Sequence, residues 1–83
     1  MKRKEIWREI KAERERQSLR WGGDHAWGAG DCSSHLVAPI VKAAVLNEEC
    51  GEVARAVLDR DEDEIVNELI QVAAVAVAWL ESL

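Results

Sequence analysis

Along the 83 residues, polar and apolar positions fall into three stretches of helical spacing and one glycine-rich segment. Residues 2 to about 20 contain no Gly or Pro and are rich in Lys, Arg and Glu. Within them Ile6, Ile10, Gln17 and Trp21 share one helical stripe, with Glu13 between them, so a polar glutamine sits on the side that should face inward. WGGDHAWGAGDCSS (21–34) holds four of the five glycines. Residues 21–33 read as a loop, ordered because two tryptophans argue against disorder, and loops this long are commonly functional. A second helix is expected over about 34–59, opening at Ser34 or at Pro39, since proline fits the first helical turn or kinks a longer helix. A third is expected over about 61–82, where Asp61 followed by Glu64 forms a capping box. Neither internal repeats nor strand-like alternation occur. The pattern predicts a single all-α domain spanning 1–83, a three-helix protomer. From Val72 onward the third helix is apolar on nearly every side, more than three helices can cover, so burial by another subunit is expected.

Composition narrows the function classes. A domain this small buries only about 60–65% of its unfolded surface, and Cys32 and Cys50 cannot supply a disulfide framework, which again points to oligomerisation. Neither cysteine has zinc-site spacing to His25 or His35, and a reduced, cytoplasmic setting is expected. With 11 basic and 16 acidic residues the net charge is −5, which disfavours nucleic-acid binding, a process driven by basic faces that displace counterions. The opening MKRKEIWRE is too charged for a signal peptide. The longest apolar run, Val72 to Leu80, falls far short of the ~20 residues that span a bilayer.

The chemistry concentrates in glutamates. Glu48, Glu49 and Glu52 lie three and four residues apart and project from neighbouring turns of the second helix. Gathering carboxylates costs Coulomb energy unless a cation sits among them, and oxygen-only ligands suit Mg²⁺ or Mn²⁺ better than zinc. A solvated acidic face would produce the same spacing. Against it, Glu49 and Glu52 flank Val45 and Ala56, and Lys42 lies two turns before Glu49 on the same side. On the third helix Glu64, Asn67, Glu68 and Gln71 form a polar stripe that continues as Val75, Ala78 and Trp79. Such a stripe suits a lined pocket. Two helices joined by a tight turn pack antiparallel and bring Glu49 and Glu52 near Glu68.

E-E-C-G-E-V-A-R-A (48–56) followed by N-E-L-I-Q-V-A-A-V (67–75) resembles the all-α, MazG-like nucleoside triphosphate pyrophosphohydrolases, whose signature is ExxE, a spacer and ExxD; the spacer from Glu52 to Glu68 is 15 residues. The upstream E-R-E-R-Q-S-L-R-W-G-G-D-H (13–25) is similar to the segment preceding the first motif in short phage-type and actinobacterial-type members. The resemblance covers about residues 13–81. It implies a homodimer or dimer of dimers with each active site inside a four-helix bundle. It also implies Mg²⁺ bound by the acidic motif positions and cleavage of a nucleoside triphosphate to the monophosphate and pyrophosphate. Carried onto this chain, Glu49, Glu52 and Glu68 are metal ligands, and Trp21 and His25 match positions that contact the base. Gln17 and Lys42 are added on geometry, for base and phosphate respectively. Glu48 or Glu52 would orient the attacking water.

One motif position departs from the family pattern. The last Asp of ExxD is Gln71 here, which offers a carbonyl oxygen to the metal but neither charge nor basicity; Glu48 or Glu64 could take its place. The alternative reading is therefore a non-catalytic helical oligomer that binds a nucleotide or a protein partner. Outside the glutamates, Trp7 and Trp79 are expected in packing, Trp21 and Trp27 near a nucleobase, and His35 and Cys50 in structural roles.

Overall fold

The computed structural model describes residues 1–83 and contains three helices in chain order, α1 (Arg3–Trp21), α2 (Pro39–Leu58) and α3 (Glu62–Glu81). The all-α expectation therefore holds, and no helix is long and apolar enough to cross a membrane. Helix α2 starts at Pro39, not Ser34: proline occupies the first turn after an extended Ala38, where its missing N–H leaves no bond unmade. Helix α3 opens with one half of the expected capping box, the Asp61 N–H being taken by Ala56 O rather than by the Glu64 side chain. Asp61 is extended, and its Oδ1 accepts from the Glu64 backbone N–H at 3.1 Å.

The segment expected to be a plain loop contains a small antiparallel hairpin, β1 (Asp24–His25) and β2 (Gly28–Ala29), with His25 opposite Gly28. Two-residue strands are too short to leave an alternating pattern, so the sequence could not announce them. A side chain supports the hairpin: His25 Nδ1 accepts from the Trp27 N–H at 3.3 Å, while its Nε2 meets the Gly30 carbonyl at 2.7 Å. Gly28, at φ +139°, lets the turn lie against the Leu36 carbonyl, which a Cβ would approach to 2.5 Å.

Helix α3 is the central element. It packs against α2 and against α1, while α1 and α2 are not packed as a pair. Ala56, Ala74, Val75 and Ala78 fill the seams around α3, with Ile10 and Val37 beside them. Small residues allow close helix approach but bury little apolar area, and no large side chain is fully enclosed. The chain exposes 6018 Å², whereas a compact monomer of 9.3 kDa would expose roughly 5000 Å². Trp7, expected in packing, is 60% exposed, and Leu58, Leu69 and Leu80 each present more than half their surface.

Arg14 ties the distant parts together. Its guanidinium donates to Asp31 at 2.9 Å, to Gln17 at 3.1 Å and to Glu81 at 3.0 and 3.4 Å, joining α1, the loop and the end of α3. Asp31 also accepts from Ser18 and from the backbone and hydroxyl of Ser33. Burial disfavours the Asp31 charge, but the bonds from Ser33 and Arg14 outweigh it and pull its pKa down to about 2.

The α2–α3 turn closes with Arg60 at φ 54°, the left-handed region. Asp61 N–H bonds to Ala56 O at 3.1 Å and Arg60 N–H to Val57 O at 3.1 Å, the double closure that favours glycine at this position. Arg60→Gly is expected to stabilise the fold by about 1 kcal/mol and raise the melting temperature by about 4–8 °C. Thermal denaturation followed by circular dichroism checks this, and a lowered midpoint would contradict it.

Candidate metal centre and cavity

Glu49 and Glu52 occupy successive turns of α2, and Glu68 faces them from α3. One carboxylate oxygen from each lies within 4.8 Å of the others. The antiparallel packing imposed by the tight turn thus brings Glu52 and Glu68 together across the 15 residues between them. Glu68 is buried at 8% exposure and Glu49 is half-buried. The Oε2 atoms of both are enclosed with no hydrogen-bond donor other than a neighbouring carboxyl.

This is a costly arrangement for a protein alone. Burial raises the pKa of Glu68, and the neighbouring carboxyls of Glu52 and Glu64 and the charge of Glu49 push it further, to about 8. Burial likewise raises Glu49, with Glu52, Glu48 and Glu13 adding to the effect. Apolar residues of similar size would pack this seam at lower cost. The donor set fits a hard divalent cation: all oxygen, negatively charged, with two oxygens lacking any other partner. Octahedral Mg²⁺ places opposite ligands roughly 4.2 Å apart, so small side-chain shifts would close the cluster on an ion.

The cluster adjoins a cavity of about 1160 Å³ in the gap between α1 and α2. Glu48, Glu49 and Glu52 line it, and α3 contributes Gln71 and Val75. Along α1 its wall changes character. Glu13, whose charge acts on Glu49, is separated from Trp21 by about 12 Å of helical rise, with Gln17 midway. The loop closes the far end with His25, Trp27 and Asp31. An acidic end and an aromatic end therefore share one elongated space.

The other sequence-predicted residues divide. Gln17, Trp21, His25, Glu48 and Gln71 all line the cavity. The ring nitrogens of His25, however, are both committed to backbone, so it can offer a ligand only its carbon edge or ring face. Its ring stands edge-on to Trp21 at 5.8 Å. Lys42 requires correction as the expected phosphate contact. It is 3% exposed, is absent from the cavity wall, and donates to Ser82 Oγ at 2.8 Å beside the C-terminus of α3. Its place on the α2 stripe turned it into the helix seam, where the ammonium complements the negative end of the α3 dipole.

The cationic groups at the cavity are instead Arg16 and Arg20 on α1. Arg16 pairs with Glu13 at 2.8 Å, and the Arg20 guanidinium lies 5.3 Å from the centre of the Trp21 ring. Sequence reasoning passed over both, and over Arg14, although Arg14 follows Ile10 by one helical turn on the inward stripe. Comparison of the chain with protein-family models, with curated proteins and with solved structures gives no match.

A carboxyl whose pKa is raised on folding stabilises the fold below its unfolded pKa, and that contribution is lost as pH rises through the folded value. For Glu68 the window runs from the ordinary 4.5 to about 8. Without divalent ions the melting temperature is therefore expected to fall between pH 5 and pH 8.5, and Glu68→Gln to flatten that fall. Mg²⁺ should raise the melting temperature more at pH 8 than at pH 5.5, because the ion competes with protons for the same oxygens. Melting curves across this range check both; a larger Mg²⁺ effect at the acidic end would contradict the assignment.

Proposed function

We propose that this chain is a divalent-metal-dependent nucleoside triphosphate pyrophosphohydrolase of the MazG-like type, converting NTP or dNTP and water to the monophosphate and pyrophosphate. The observation that carries the reading is the trio Glu49, Glu52 and Glu68, with two partnerless buried oxygens, beside a cavity whose other end is aromatic. An acidic end suits a metal–polyphosphate, and Trp21 and Trp27 suit stacking on a base.

Glu49, Glu52 and Glu68 would hold the ion, with the Gln71 carbonyl as a neutral fourth donor. When bound, Mg²⁺ or Mn²⁺ supplies charge neutralisation of the polyphosphate and acidifies a water. Glu48, exposed on the cavity wall, would orient that water, and Arg16, paired with Glu13 at the acidic end, would meet phosphate oxygens in the role first expected of Lys42. Assembly as a homodimer or dimer of dimers, completing a four-helix bundle around each site, is part of the proposal. It is supported by the roughly 1000 Å² of accessible surface beyond a compact monomer's, comparable to the ~800 Å² each partner contributes to a standard interface. Exposed Val57, Leu58, Val66 and Leu69 supply apolar area on α2 and α3 for it.

A second reading, a non-catalytic nucleotide or partner binder, draws support from Gln71, because the uncharged amide weakens the site's hold on metal. Pyrophosphate release from each NTP and dNTP with Mg²⁺ separates the two. Turnover is expected, with a fall of at least about 100-fold on Glu49→Gln or Glu68→Gln, and Gln71→Asp is expected to raise the rate. Nucleotide binding without pyrophosphate release by the folded protein would select the second reading. Neither binding nor release would exclude both.

A further inference from the structure

From Gln17 to the aromatic end, the cavity wall holds Asp31 and His25, whose hydrogen-bonding capacity is spent, and the capacity left on Gln17, Trp21, Trp27 and Arg20 has one sign. Asp31 accepts two bonds at each oxygen: Ser33 N–H and Ser33 O–H at Oδ1, Arg14 and Ser18 at Oδ2. That fills its four lone-pair directions. His25 is committed through both nitrogens. Gln17 could in principle face the cavity with either end of its amide, but Arg14 removes the choice. A guanidinium only donates, so the oxygen of Gln17 must turn toward it, as found at 3.1 Å. Arg14 cannot turn away, because Asp31 and Glu81 hold its other donors. The Gln17 NH₂ is left with no acceptor in the chain. The indole N–H groups of Trp21 and Trp27 and the Arg20 guanidinium, also at the cavity, can likewise only donate.

Resting on the pyrophosphohydrolase reading, we propose that Gln17 is a specificity-determining residue, its amide fixed by Arg14 as a donor. The cavity then prefers bases carrying an exocyclic oxo group, 4-oxo pyrimidines and 6-oxo purines, over those carrying an amino group at the same position. An oxo group accepts from the Gln17 amide, whereas an amino group sets donor against donor and leaves both unpaired. Arg14 acts through Gln17 and is a positioning residue. This contact is indifferent to ring size and to the sugar, so the preference is read within matched pairs: dUTP against dCTP, and dITP against dATP.

The test measures kcat/KM for pyrophosphate release from the two pairs, together with the affinity of their α,β-methylene analogues read by tryptophan fluorescence. In the wild-type protein the oxo member of each pair is expected to be favoured about tenfold in both measurements. Gln17→Met should bring the members of each pair to within about twofold. Gln17→Glu, which keeps the bond to Arg14 but presents no donor, should abolish or invert the preference. Circular dichroism checks the fold of both variants, and should one fail to fold, the wild-type pairs and the other variant decide. Equal treatment within pairs, preference for the amino member, or an oxo preference that survives in a folded variant would overturn the proposal while leaving the pyrophosphohydrolase reading intact. Absence of both binding and turnover for all four nucleotides would overturn that reading, and this inference with it.

Discussion

Three carboxylates in the seam between α2 and α3 set the terms for the rest of the molecule. A helix pair lined by alanines could close tightly on itself, and Ala56, Ala74 and Ala78 do so. Glu49, Glu52 and Glu68 interrupt that seam with groups that repel one another when charged and, at two oxygens, meet no donor but a neighbouring carboxyl. A fold with few buried side chains has little stability in reserve for such an arrangement. In the proposed reading that cost belongs to a binding site, and a cation replacing a proton there would relieve it.

The second organising element is the Arg14 network. It carries no chemistry of its own, yet it fixes the loop to α1 and to the end of α3, and so keeps the gap between α1 and α2 open as a cavity. It also spends the acceptors of the aromatic end. One half-buried guanidinium thus braces the space and sets the hydrogen-bonding sign of Gln17 in its lining. Lys42 performs a related task close by, anchoring the end of α3 to α2 through Ser82.

Local rules were legible in the sequence where a single element decides the outcome. Helical periodicity, Asp61 as a cap and Pro39 as a first-turn residue all act within one helix, and the glutamate trio needed only one further step, the tight turn that makes α2 and α3 antiparallel. Lys42 went astray because a stripe specifies a side of a helix without saying which neighbour it faces. Arg14 was missed because its partners, Asp31 and Glu81, lie 17 and 67 residues away, and no local spacing encodes them. The hairpin was missed because His25 closes it through its side chain, not through strand pattern.

In the proposed function the glutamate trio holds a divalent cation in exchange for a proton. Titration calorimetry with Mn²⁺ in buffers of different ionisation enthalpy measures binding and proton release together. With Glu68 at about 8, release of about one proton per ion bound is expected at pH 7, declining toward none above pH 9. Absence of Mn²⁺ binding by the folded protein, or binding at pH 7 without proton release, would contradict it.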